Sequence, residues 1–78
     1  MRPVIHGLVL LKAPAGVQEK VLSESRKIRG VMDAFSVFGR YDAVVLIEAE
    51  NFDELRRTAK QVNAIKGVKS TETLPEAE

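Results

Sequence analysis

Two stretches of this chain, Ile5 to Leu11 and Ala43 to Ile47, are apolar at almost every position. In a β-strand successive side chains point to opposite faces. Val44 and Leu46 must therefore point one way while Ala43, Val45 and Ile47 point the other, and Leu8 and Leu10 likewise oppose Ile5, Val9 and Leu11. An antiparallel sheet covered on one side alternates apolar with polar residues, and these strands do not. They need cover on both faces. Helices can supply one cover. The other must come from outside the chain, because each fully buried Val, Leu or Ile contributes roughly 1.5–3 kcal/mol and monomers rarely expose large apolar patches. The expected outcome is a dimer that packs sheet on sheet.

Chain length points the same way. Seventy-eight residues is near the lower limit for a self-sufficient core, and folding must offset roughly 1.5 kcal/mol of entropy per ordered residue. With no cysteine and one histidine, disulfides, Cys-based metal sites and a multi-histidine centre within one chain are excluded. No cofactor or metal is expected, and oligomerisation is the remaining means of stabilisation. Twelve Lys and Arg against eleven Asp and Glu leave a net charge of +1, without the basic stripe that marks nucleic-acid binding. Met1-Arg2-Pro3-Val4 lacks the apolar core of a signal peptide. The run from Gly7 to Leu11 is far shorter than the ~20 residues of a membrane span. A cytoplasmic protein with no membrane contact is expected.

The elements follow from periodicity. Pro3 to Lys12 reads as a strand closed by Ala13-Pro14-Ala15-Gly16. Val17 to Ile28 shifts to helical spacing, with Val17, Val21, Leu22 and Ile28 on one face. Val31 to Phe38 and Asp42 to Ala49 read as strands on either side of a turn. Asn51 is placed as a helix N-cap with Glu54 three residues on, and the helix runs toward Lys66-Gly67. Val68 to Leu74 forms the last strand and Pro75 ends it. Residues 1–78 thus make one α+β domain of order βαββαβ, the ferredoxin-like arrangement: a four-stranded antiparallel sheet with two helices on one face. Its first and third strands should be central, and they are the most apolar.

Chemistry concentrates in Phe38-Gly39-Arg40-Tyr41-Asp42, where a tight turn, a guanidinium, a phenol and a carboxylate are adjacent. Gly39 suits the turn, Tyr41 can pack at the sheet edge and Asp42 can cap a backbone N–H. The same groups suit a zwitterion, with Asp42 accepting from an ammonium and Arg40 or backbone N–H groups donating to a carboxylate. Thr71 and Thr73 share one strand face, where they either line a pocket or fill a half-exposed strand. His6, among aliphatic residues, is read as a paired or interfacial histidine. Glu48, Glu50 and the Arg56-Arg57-Lys60 group are read as solvated faces. No nucleophile stands beside any of these, which argues against an enzyme; the alternative is a small dimeric α+β-barrel enzyme using His6 or Tyr41.

Gly39-x-Tyr41-Asp42, the apolar strand after it, the helix start Glu48 to Leu55, and Gly67 to Thr73 together resemble the effector (RAM) domain of the Lrp/AsnC regulators. The resemblance covers nearly the whole chain. It implies a ferredoxin-like domain that dimerises through its sheets, forms rings of dimers such as octamers, and binds amino acids between dimers. It further implies an effector site of Gly39, Tyr41 and Asp42 with Thr71 and Thr73, and Arg40 at the variable position where effector choice is set. The chain starts at the first effector-domain strand, without the helix-turn-helix of the full-length regulators, so it resembles the stand-alone members. Direct DNA binding is not expected. Amino-acid sensing and co-assembly with full-length regulators are, and a purely structural oligomerisation module is a further alternative.

Overall fold

The computed structural model describes residues 3–76; Met1, Arg2, Ala77 and Glu78, which the sequence reading places within the single domain, lie outside them. Strand β1 (Ile5–Lys12) leads through a 3-10 turn (Ala15–Val17) into helix α1 (Gln18–Arg26). Strands β2 (Val31–Ser36) and β3 (Ala43–Ala49), helix α2 (Phe52–Asn63) and strand β4 (Ser70–Pro75) complete the order. The four strands form one sheet in the order β2-β3-β1-β4, antiparallel throughout. The apolar strands β1 and β3 are central, as their sequence requires. The differences from expectation are at boundaries: β2 stops at Ser36, both helices are shorter, and Pro75 is still part of β4. Pro75 is tolerated there because β4 is an edge strand, where a missing N–H need not break a ladder.

Helices and sheet enclose the core on one face only. Val9, Leu11, Val45, Ile47 and Ala34 on the sheet meet Val21, Leu22, Leu55 and Val62 on the helices, all buried. Gly7 lets α2 come close, because a Cβ there would lie 2.9 Å from Leu55 Cδ1. Asn51 caps α2 as predicted, its Oδ1 accepting from the Glu54 N–H at 2.8 Å. The return bond of the capping box shifts by one residue, with Glu54 Oε2 accepting from the Glu50 N–H at 3.1 Å.

Among the described residues, no helix covers the opposite face. Register places Leu8 beside Leu46 and Leu74, and Leu10 beside Val44 and Glu72, with Phe35 beside Val44. Phe35 and Leu74 are 44% and 43% exposed. This is the apolar face that the unbroken strands required.

Candidate functional site

The β2–β3 connection is fixed to the end of β1 by Asp42. Its N–H donates to the Leu11 carbonyl at 2.8 Å, its carbonyl accepts from Val37 at 3.0 Å, and its carboxylate Oδ2 accepts from the Ala13 N–H at 2.9 Å. The backbone-capping role of Asp42 is therefore real. Gly39 turns the chain with φ +116°, and a Cβ there would meet no atom within 4 Å. Conformation, not space, demands glycine at this position.

Tyr41 lies over the end of the open face. Its hydroxyl donates to Glu72 Oε1 at 2.6 Å, and Lys12 Nζ stands 5.8 Å from its ring centroid, within cation–π range. The hydrogen bond to Glu72, reinforced by the Glu72 charge, holds the Tyr41 phenol above its ordinary 10.0, against an opposing pull from Arg40. Arg40 and Phe38 are exposed. The loop thus joins two side chains that sequence reasoning missed, Lys12 and Glu72. Only the β1–β4 register, which sets Glu72 opposite Leu10, makes that meeting visible.

The structure does not bring all the predicted site residues to one place. Thr71 and Thr73 pair with Leu11 and Val9, which puts them on the helix-covered face, opposite to Glu72. Thr71 is half-buried and its Oγ1 donates to Asn63 Oδ1 at 3.2 Å, at the end of α2. They share a face as predicted, but it is not the face of Tyr41.

His6 belongs to the other end of the sheet. Its backbone N–H donates to Glu76 Oε1 at 2.7 Å, and its ring nitrogens lie 3.5 Å from Glu76 and 3.7 Å from Glu48. Beside it is a groove of about 300 Å³ lined by His6, Leu8, Leu46, Leu74, Pro75 and Glu76. Leu10, the residue opposite Glu72, is four positions from His6 along β1, roughly 13 Å at strand rise. His6 and Tyr41 therefore do not share a cavity in one chain. Among the described residues, no three or more His, Cys, Asp or Glu are grouped to hold a metal ion, and no helix is long and apolar enough to cross a membrane. Asp53 pairs with Arg56 on the outer side of α2, next to Arg57 and Lys60, the solvated face anticipated from sequence.

Residues 7–75 match the family model of the Lrp/AsnC ligand binding domain. An HTH-type transcriptional regulator, FL11 of Pyrococcus furiosus, is 33% identical over 70 residues, covering 90% of this chain and 46% of the regulator. A homocitrate synthase of Sulfolobus acidocaldarius is 41% identical over 75 residues, covering 92% of this chain and 16% of the synthase. The chain thus spans less than half the length of these curated relatives. Among solved structures, TTHA0845 from Thermus thermophilus superposes with a TM-score of 0.88 at 27% identity, over 95% of this chain and 94% of that one. The transcriptional regulator NMB0573 from Neisseria meningitidis, solved as an L-Met complex, superposes with a TM-score of 0.81 at 12% identity. That match covers 95% of this chain and 50% of the regulator, and shows the shared fold. By the match over most of its length, this chain belongs to the Lrp/AsnC ligand-binding domain family.

Proposed function

We propose that this domain is a cytoplasmic, amino-acid-responsive oligomer that modulates transcription, taking its effector at a subunit boundary through the loop Gly39 to Asp42. The match of residues 7–75 to a ligand-binding domain carries the reading. The uncovered apolar face supports sheet-to-sheet dimers, and a relative of the same fold solved with L-Met supports the ligand class. Asp42 and Glu72 offer acceptors for an ammonium, and Tyr41 donates to Glu72 with Lys12 near its ring. Loop N–H groups or Arg40 supply donors for a carboxylate. Thr71 and Thr73 sit on an edge strand, where a second dimer is proposed to approach. Binding alters assembly only if the effector prefers one assembly over the other. Such assembly lets the domain act on full-length family regulators by joining them.

A thermal-shift screen of the twenty amino acids tests this. A ligand at about 100 times its Kd adds about 2.7 kcal/mol, a rise on the order of 10 °C for a domain of this size. If none of the twenty raises Tm, the sensor reading fails and a purely structural module replaces it.

A second reading is favoured by the 41% identity to a segment of homocitrate synthase. The domain then binds the same class of ligand but governs a biosynthetic enzyme instead of a regulator. Co-elution with a full-length family regulator supports the first reading. Co-elution with the enzyme alone supports the second.

A further inference from the structure

One row across the sheet places two opposite charges beside an apolar strip. Glu72 of β4 pairs with Leu10 of β1, Leu10 with Val44 of β3, and Val44 with Phe35 of β2. Val9, Leu11, Val45 and Ala34, their neighbours in sequence and register, belong to the core under the helices. Strand alternation therefore puts the whole row on the open face. Lys12 is two positions beyond Leu10 on β1, so it shares that face, opposite Ser70.

Lys12 and Glu72 are thus diagonal neighbours on paired strands, a separation of about 7–8 Å. They are oppositely charged and exposed, yet they close no ion pair with each other. Each meets Tyr41 instead. The Tyr41 hydroxyl donates to Glu72 Oε1 at 2.6 Å, and Lys12 Nζ stands 5.8 Å from the ring centroid. The phenol engages one oxygen of Glu72, which leaves the other to accept from a second donor. An open pair of this kind matches an α-amino acid, whose ammonium and carboxylate sit on one carbon and its neighbour. The row then decides the side chain. Leu10 is one strand spacing from Glu72 and Val44 two, at about 4.8 Å each, which is the reach of a leucine, methionine or phenylalanine side chain. A charged side chain laid there would lose water and find no partner.

We propose that Glu72 and Lys12 take the ammonium and the carboxylate of the effector, and that the effector is an apolar amino acid whose side chain lies on Leu10 and Val44. This rests on the amino-acid reading above and deepens it. The carboxylate partner becomes a lysine on the central strand β1 in place of the loop N–H groups or Arg40. Tyr41 is a positioning residue that holds the Glu72 carboxylate. The row is a flat surface, so a second copy over the open face would close the site around the ligand.

Calorimetry of the full chain with L-leucine, L-methionine and L-phenylalanine, against L-aspartate and L-lysine, tests the assignment. The three apolar amino acids should bind more tightly than the two charged ones. Lys12→Gln and Glu72→Gln should each raise the Kd by about tenfold or more, because a hydrogen bond to a charged group is weakened or lost. Both side chains are exposed, and glutamine at 72 still accepts from Tyr41, so folding is not at issue. L-leucinamide, which lacks the carboxylate charge, separates a contact from a structural role. It should bind about tenfold more weakly than L-leucine and lose nothing further in Lys12→Gln, whereas a structural role for Lys12 would weaken both ligands alike. A variant that keeps the Kd removes its residue from the site, and if both keep it the site is wrong while the sensor reading stands. Tightest binding of L-aspartate or L-lysine overturns the apolar assignment. If none of the twenty amino acids binds, the sensor reading fails and takes this site with it.

Discussion

Asp42 has a structural job beside its proposed contact to an effector, and one substitution would confuse the two. Its carboxylate accepts from the Ala13 N–H at 2.9 Å, so Asp42→Ala removes a backbone cap along with any contact to an ammonium. Loss of a hydrogen bond of this kind costs about 1–2 kcal/mol. Asp42→Asn keeps an acceptor oxygen and removes the charge. Calorimetry of Asp42→Asn should show effector binding lost with the denaturation midpoint nearly unchanged, and unchanged affinity would remove Asp42 from the site. Tyr41 can be followed separately, since it is the chain's one tyrosine and there is no tryptophan. Its phenolate absorbance should titrate above 10.0 because the neutral phenol donates to Glu72, and Glu72→Ala should bring the midpoint back down. A raised value means this contribution to stability is complete below pH 10.0 and lost as pH rises through the folded-state value. Neutral pH therefore leaves it intact. Ser25 is the opposite case: fully buried, with no partner for its Oγ among the described residues. Ser25→Ala should raise stability by about 1 kcal/mol, since an unsatisfied buried hydroxyl is costly, and a lowered urea midpoint would contradict that.

At the scale of elements, the helices depend on features that are short and local. Asn51→Ala should cost about 1 kcal/mol, because Oδ1 satisfies a free N–H at the start of α2. Gly7→Ala acts across elements, pressing a methyl to within 2.9 Å of Leu55 Cδ1. Leu55 is 1% exposed, so its side chain has little room to yield, and a cost of roughly 1–3 kcal/mol is expected. Such local features are what sequence conveys well. Strand periodicity identifies the two central strands, and Asn51 with Glu54 marks the start of α2. The site is legible only in part. Gly39, Tyr41 and Asp42 are adjacent in sequence and visible there as a cluster. Glu72 and Lys12 join them through a register between β1 and β4, and Thr71 and Thr73 leave them for the same reason. One residue of register decides the face, and hydrophobic pattern fixes register poorly on an edge strand rich in Thr and Ser.

At the scale of the whole molecule, the unbroken strands and the uncovered face describe the same requirement. Leu8, Leu10, Leu46, Val44, Phe35 and Leu74 form an apolar surface on a chain with a core only one layer deep. If that surface is buried by a second copy, unfolding and dissociation are one process and stability depends on concentration. For a two-state dimer, a tenfold dilution removes about 1.4 kcal/mol per mole of dimer. Two chains unfold together, so each kcal/mol corresponds to roughly 2–4 °C. Tm should therefore fall by about 3–5 °C for each tenfold dilution across the micromolar range, and Leu10→Glu should abolish that dependence while lowering Tm. A Tm independent of concentration, with a sedimenting monomer at micromolar protein, would show that the open face is stable in water. The effector would then need a site within one chain, and the loop at Gly39 to Asp42, half-exposed and open to one side, would have to hold a zwitterion without a neighbour. Its groups suit that task poorly, because one Asp42 carboxylate oxygen is committed to Ala13 and the Tyr41 hydroxyl to Glu72. The chemistry of the loop and the apolarity of the sheet thus both favour the proposed second subunit.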